Sequence, residues 1–347
     1  PAPPHPVPYA IIGGSGVYNL QFLSDNNTKQ YYTIETPFGA PSDAICVADI
    51  PIKSINGENK TVPCAFLPRH GRQHLLNPSE INYRANICAL KMLGVEIILA
   101  INAVGSLDAH YTPGDLTLVS QVIDRTVARP STFFDRGCVA HVDFAHPTSQ
   151  LFSSIAFEAM QSCFPEAAAI DTLTDDNNDP KNETNKSDKK WKVHRYATAV
   201  TMEGPQFSTK AESLFNKHSM KGHLIGMTTA TECKLAREAE IIYVTVAMVT
   251  DNDAWSDAPH VDVSSVIKVV KENGEKAQKY PLSIIQAWEN AEEKALLKEE
   301  KKGLRTTDPA TNALQFALMT HSGSIPAAAQ ERLRPLLQAK YPQHLSS

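Results

Sequence analysis

Asp251 and Asp253 stand one residue apart at the end of the apolar, β-branched run 241–250. Two carboxylates at a strand tip suit proton transfer. In the same segment, Met227-Thr228 closes the short apolar run 223–227, and a hydroxyl at the start of the helix that follows suits an anion. Further upstream, Pro68-Arg69-His70 ends an apolar run. A guanidinium fork matches phosphate oxygens, so Arg69 and His70 form a candidate phosphate clamp. Gly13-Gly14-Ser15-Gly16 offers close backbone approach and the Ser15 hydroxyl, and Asn102-Ala103 lies in a turn whose backbone N–H groups can meet an anion. Each motif also has a plainer reading. Thr228 and Thr229 cap a helix, Asp251 and Asp253 open a turn, Arg69 forms an ion pair, and the glycines make a tight turn.

Two better-known chemistries do not fit these residues. Gly14-x-Gly16-x-x leads to Asn19 where a dinucleotide fingerprint needs a third glycine. His70 and His74 have zinc-motif spacing, but Gly71 stands where the motif requires Glu. No metal is expected.

The elements that must position these groups read as strand and helix in alternation. Strands are expected over 9–12, 44–47, 62–67, 95–101, 116–123, 196–202, 223–227 and 241–250. Helices are expected over 79–93, 150–161, 261–273, 283–302 and 312–319. Thr229 and Glu232 have capping-box spacing, as do Thr209 and Glu212. Glu203, before a Gly-Pro turn, and Phe207, before a helix, suit a ribose-binding acid and an aromatic platform. Val263, Val266 and Ile267 share a helix face at i, i+3 and i+4, which by periodicity packs on the core. His141 and His146 fall in a long irregular connection, 129–146. Residues 171–190 are rich in Asn and Asp with few large apolar groups, and read as a solvated, mobile insertion. No function is read from the basic, alanine-rich tail 321–347.

A length of 347 residues suffices for a full core, while 42% hydrophobic content and a net charge of −5 show no global basic character to suggest nucleic acid. The six cysteines contain no CxxC pair, so reduced thiols are expected. No run approaches a membrane span, and no h-region of a signal peptide is present. The expected compartment is the cytoplasm, extending to the nucleus. Five of the strands end in candidate chemistry. In a parallel or mixed sheet wound with helices such ends gather at one edge.

The ordered set GGSG, ETPFGAPSD, RHGRQH, NAVGSL, PGD, MEGPQFSTKAES, GMTTATE and DND, spread over about 10–318, resembles the purine nucleoside phosphorylase family. Within it the likeness is to members that cleave 5′-methylthioadenosine. The resemblance implies one α/β domain over 9–320 with a mixed, twisted central sheet flanked by helices, assembled as a homotrimer. It implies phosphate-dependent cleavage of an N-glycosidic bond in purine and methionine salvage. Inorganic phosphate is then a co-substrate, and no cofactor, nucleic acid or membrane is involved. Phosphate falls to Ser15, Arg69, His70, Asn102, Ala103 and Thr228. Met227 and Phe207 meet the sugar and base, and Asp251 and Asp253 the adenine edge, with Asp251 as proton donor. Val263, Val266 and Ile267 line the pocket for the 5′ substituent, covered by His141 of a neighbouring subunit. Two alternatives stand beside this: a phosphorylase for inosine and guanosine, whose family members usually carry Asn in place of Asp251, and a silent nucleoside-binding regulator.

Overall fold

Stretches of Ile, Val, Leu and Ala with no polar interruption are buried on both faces, which makes them interior strands. The computed structural model describes residues 3, 5–24, 27–171, 190–256, 263–297 and 303–345. Its strands in chain order are β1 (Tyr9–Gly13), β2 (Gln30–Tyr32), β3 (Ile45–Lys53), β4 (Asn59–Pro68), β5 (Ile97–Ser106), β6 (Leu116–Leu118), β7 (Gln121–Asp124), β8 (Ala168–Ile170), β9 (Lys192–His194), β10 (Thr198–Thr201), β11 (Leu224–Gly226) and β12 (Ile242–Asn252). The helices are α1 (Gln21–Ser24), α2 (Tyr83–Met92), α3 (Gln150–Cys163), α4 (Lys210–His218), α5 (Thr229–Glu238), α6 (Val263–Ala277), α7 (Tyr280–Leu296), α8 (Leu304–Thr307) and α9 (Ala327–Leu337).

All the strands join one mixed sheet whose main path runs β2-β3-β4-β1-β5-β12-β6-β9-β8. β4, β1, β5 and β12 are mutually parallel neighbours, whereas β2–β3, β3–β4 and β12–β6 are antiparallel. The sheet opens at one place. β5 pairs with β1 only as far as Ala100, then meets β11 in antiparallel register at Gly105 and Ser106. Between these points, residues 101–104 have no strand neighbour on that side. A gap between diverging strands is where wound α/β sheets take ligands.

Alternation along the central strands divides the core. Ala10, Ile12, Ile98, Ala100 and Tyr243 pack in one layer with residues of α2, α5 and α9. Tyr9, Ile11, Ile97, Leu99, Ile242 and Val244 pack in the other with residues of α3 and α7, including the fully buried Trp288. The expected fold class, a single mixed-sheet α/β domain with flanking helices, is the one observed.

Several boundaries differ from expectation. The helix expected from 79 starts at Tyr83, because Asn77 Oδ1 first accepts from the N–H groups of Ser79 and Glu80, and Asn82 then caps Ala85. The strand expected over 116–123 divides, with β6 pairing to β12 and β7 to β10. Asn102-Ala103 is not a turn but a stretch of β5 paired with β12 on one side and open on the other. Residues 312–319 form no α-helix. A short 3-10 helix over Pro309–Asn312 leads into turns and a bridge between Ala140 and Leu318. Nor do the described residues of the expected tail, 321–345, stand apart. Ile325, Ala329, Leu333, Leu336 and Leu337 are buried in the first core layer, so the domain continues past 320. Residues 172–189, nearly all of the polar insertion, and 298–302, the end of the helix expected to 302, lie outside the described residues. The six cysteines are free thiols.

Candidate active site

A cavity of about 460 Å³ opens at the sheet gap. Its wall takes Ser15 from the loop after β1, Arg69 and His70 from the end of β4, and Asn102 and Ala103 from β5. Met227 and Thr228 come from the end of β11, and Asp251 and Asp253 from the end of β12. Phe207 and Val266 complete the set of expected residues found there. Four strand ends therefore converge, and the fifth contribution comes from the middle of β5. Three expected residues are not placed in it. Ile267 points outward and is 63% exposed, since the cavity face of α6 is Val266 and Val270, at i and i+4. His141 is exposed elsewhere, donating its backbone N–H to Ala317. The side chain of Val263 lies outside the described residues.

Arg69 is 1% exposed, and its guanidinium is already engaged. Nε and Nη2 donate to Glu232 at 2.6 and 3.1 Å, Nη1 donates to the Ile101 carbonyl at 2.7 Å, and Nη2 also reaches Asn102 Oδ1 at 3.3 Å. Glu232 is equally buried and accepts a further bond from the Tyr243 hydroxyl. This corrects the capping box expected at Thr229. The N-cap is Thr228, no side chain caps the helix, and Glu232 turns inward to balance Arg69. Gly14 makes room for the pairing, because a Cβ there would collide with Arg69 Nη1 and the Ile101 carbonyl. The capping box at Thr209 and Glu212 forms as expected.

Asn102 ties the cation to the hydroxyls. A guanidinium only donates, so Oδ1 faces Arg69 and the Thr245 hydroxyl, while Nδ2 donates to Thr228 Oγ1 at 2.7 Å. Thr228 Oγ1 thereby receives a hydrogen bond, and its own proton remains available to an anion. His70 Nδ1 lies 2.8 Å from the Leu76 carbonyl, which only accepts, so Nδ1 carries the hydrogen. Burial first, and then the Arg69 charge, push the His70 pKa down to about 4. The ring is neutral at pH 7 with a lone pair on Nε2, and it stacks on His74 at 4.5 Å. The Arg69 and His70 pair is thus a balanced ion pair beside a neutral imidazole.

At the opposite wall, β12 slips its register against β5 between Val249 and Asp251. The extra residue is Thr250. Such a bulge re-aims side chains, and here it lets Thr250, Asp251 and Asp253 all reach the cavity. Burial raises the Asp251 pKa, the Thr250 hydroxyl bond at 2.6 Å opposes this, and the Asp253 charge adds to it. Asp253 is 7% exposed and its Oδ2 has no hydrogen-bond partner. Glu203, read as a ribose-binding acid, lies outside the cavity wall. It accepts from Ser79, from the backbone N–H groups of Val127 and Ala128, and from Arg129, so it fastens the loop. Sequence reasoning missed Thr250, Val270, His74 and Ile225 in the wall. Helical spacing from Val266 points to Val270; the others carry no local signal.

Comparison with known proteins places this geometry. Residues 8–286 match the model of the Phosphorylase superfamily. The S-methyl-5′-thioadenosine phosphorylase of Chloroflexus aurantiacus is 41% identical over 336 residues, covering 96% of this chain and 98% of that protein. That of Hyperthermus butylicus is 41% identical over 82% of this chain and 90% of its own length. Among solved structures, a methylthioadenosine phosphorylase from an antarctic soil metagenomic library superposes with TM-score 0.74 at 38% identity, covering 96% and 99% of the two chains. The Schistosoma mansoni methylthioadenosine phosphorylase in complex with adenine gives 0.68 at 35% identity, over 80% and 91%. The chain belongs to the phosphorylase superfamily and, within it, to the S-methyl-5′-thioadenosine phosphorylases.

Proposed function

We propose that this chain cleaves 5′-methylthioadenosine with inorganic phosphate, releasing adenine and 5-methylthioribose 1-phosphate. The observation that carries the reading is one cavity with a hydrogen-bonding anion wall and two carboxylates, Asp253 buried and Asp251 half-buried. In the proposed reaction phosphate rests on the hydroxyls of Ser15 and Thr228 and on the open backbone at Asn102 and Ala103. Arg69 lies behind it as a fixed cation. The lone pair of His70 Nε2 accepts the phosphate O–H. Met227 packs on the ribose and Phe207 on the sugar and base. As the glycosidic bond loosens, the sugar gains oxocarbenium character that the phosphate charge stabilises. Adenine leaves poorly as an anion, so Asp251, whose pKa burial raises, gives its proton to N7. Asp253 Oδ2 takes the 6-amino group. The apolar Val266 and Val270 face the methylthio end. The proposed reaction takes no cofactor.

Phe207 is 78% exposed at the rim, while Phe316 and Met319, on the segment bridged to Ala140 beside His141, are 85% and 56% exposed. Exposed aromatic and apolar groups at a rim and on a ridge suit mutual burial. The proposed assembly is a homotrimer in which the His141 ridge of one subunit covers the cavity of the next. Light scattering tests this against three times the 38.0 kDa chain mass.

The experiment for the reaction is adenine release from methylthioadenosine with and without phosphate. Release that requires phosphate, equimolar with sugar phosphate, is the expected result. Release without phosphate identifies a hydrolase. Binding without release identifies the silent regulator, and a preference for inosine identifies the 6-oxopurine phosphorylase.

A further inference from the structure

Thr250 is the inserted residue of the β12 bulge, 6% exposed and part of the cavity wall. Its Oγ1 lies 3.1 Å from the Val104 carbonyl oxygen and 2.6 Å from Asp251 Oδ1. A carbonyl oxygen only accepts, and a carboxylate only accepts, yet a threonine hydroxyl has a single proton. Both acceptors lie within reach of that proton by rotation about Cβ–Oγ alone. In an unbulged strand, neighbouring side chains point to opposite faces. The register slip therefore brings this hydroxyl beside the carboxylate that follows it.

We propose that Thr250 is a positioning residue for the proton on Asp251: its hydroxyl proton turns from the Val104 carbonyl to Asp251 Oδ1 as Asp251 Oδ2 gives its proton to the departing base. This rests on the phosphorolysis reading above. In the step, the Oδ2–H bond breaks and an N7–H bond forms. The electrons of the C1′–N9 bond go to the base, which leaves neutral, and a phosphate oxygen supplies the electron pair of the new C1′–O bond. The negative charge left on Asp251 is met at Oδ1 by the hydroxyl, whose own O–H bond does not break. The bond to Oδ1 strengthens as charge develops, so it acts on the transition state more than on the bound substrate.

The test compares Thr250→Val with Thr250→Ser on two substrates, methylthioadenosine and its N7-methylated cation, whose base leaves neutral without a proton. Thr250→Val is expected to lower kcat for methylthioadenosine about tenfold, from the loss of one hydrogen bond to a charged group. It is expected to leave the N7-methylated substrate within about twofold of the parent, since no proton transfer from Asp251 is then needed. The alkaline limb of the kcat profile moves to higher pH, because a hydrogen bond to the charged form is lost. Thr250→Ser keeps the hydroxyl and stays near the parent. Thr250→Ala replaces the valine variant if that one does not fold. An equal loss on both substrates, no loss on either, or a serine variant as impaired as valine overturns the proposal. Failure of the phosphorolysis reading is distinct: the parent enzyme then releases no adenine in a phosphate-dependent way.

Discussion

With Glu232 bonded to Nε and Nη2 of a guanidinium that is 1% exposed, Arg69 is a cation whose charge is matched before any ligand arrives. Removing one partner of a buried pair leaves the other desolvated and unpaired. Glu232→Gln is expected to cost about 3–5 kcal/mol of stability, read as a fall in the urea midpoint, and an unchanged midpoint would show that Arg69 is served by its carbonyl contacts alone. His70 carries a pH signature. Its pKa of about 4 lies below the ordinary histidine value near 6.5. The unfolded chain then binds a proton that the folded one refuses, so stability is full above about pH 6.5 and is lost as pH falls toward about 4. The ceiling is about 3 kcal/mol over that window. Urea titrations at several pH values should show this slope in the parent, and His70→Asn should flatten it. Asp251→Asn is expected to lower kcat on methylthioadenosine on the order of 100-fold while comparatively sparing 6-oxopurine nucleosides. Equal losses on both classes would remove Asp251 from the acid role.

Among the elements, α6 and the loop after β1 are packed face to face. A Cβ at Gly16, whose φ is +84°, would strike the Val270 side chain, and one at Gly274 would meet the Gly16 carbonyl at 2.9 Å. This close approach sets the helix over the cavity with Val266 and Val270 inward and Ile267 outward. The C-terminal half of α6 is anchored by Asn273 Nδ2 to the Val249 carbonyl and by the Lys276 ammonium to the Gly114 carbonyl. An apolar wall favours a methylthio group and leaves a hydroxyl without a partner. Val266→His is therefore expected to shift the kcat/KM ratio from methylthioadenosine toward adenosine by roughly tenfold or more. A constant ratio in a folded variant would place the 5′ end of the substrate elsewhere.

Across the whole molecule, the C-terminal segment belongs to the same folding unit as the catalytic sheet. Leu337 and Leu333 on α9 are fully buried with residues of α2 and α5, and the Tyr341 hydroxyl donates to Glu240 at 2.6 Å. Leu337→Ala is expected to destabilise the protein by about 2–5 kcal/mol through lost burial and the cavity left behind. A change below about 0.5 kcal/mol would mark the segment as an appendage. Breaking α9 also reaches the site indirectly, because α5, in the same core layer, carries Glu232 and has Thr228 as its N-cap.

What was legible in the amino-acid order alone was local. β-Branched apolar runs marked β1, β5 and β12, the Thr209-Glu212 spacing marked a cap that forms, and chemistry stood at the strand ends. Periodicity and side-chain type determine these within a few residues, so they survive in the structure. The tertiary structure decided where each side chain spends its hydrogen bonds. Glu232 has capping spacing and a carboxylate either way; only the arrival of Arg69, 163 residues distant, draws it inward. Asn102 reads as a turn until β5 is seen to leave β1 and meet β11. Residues 321–345 look like a tail as a string because the residues they pack on, those of α2 among them, are distant in the chain. The bulge at Thr250 has no sequence mark, since it arises from register against β5. Local chemistry names the candidates, but their charge state, orientation and exposure are set by groups distant in the chain that folding brings within a few ångströms.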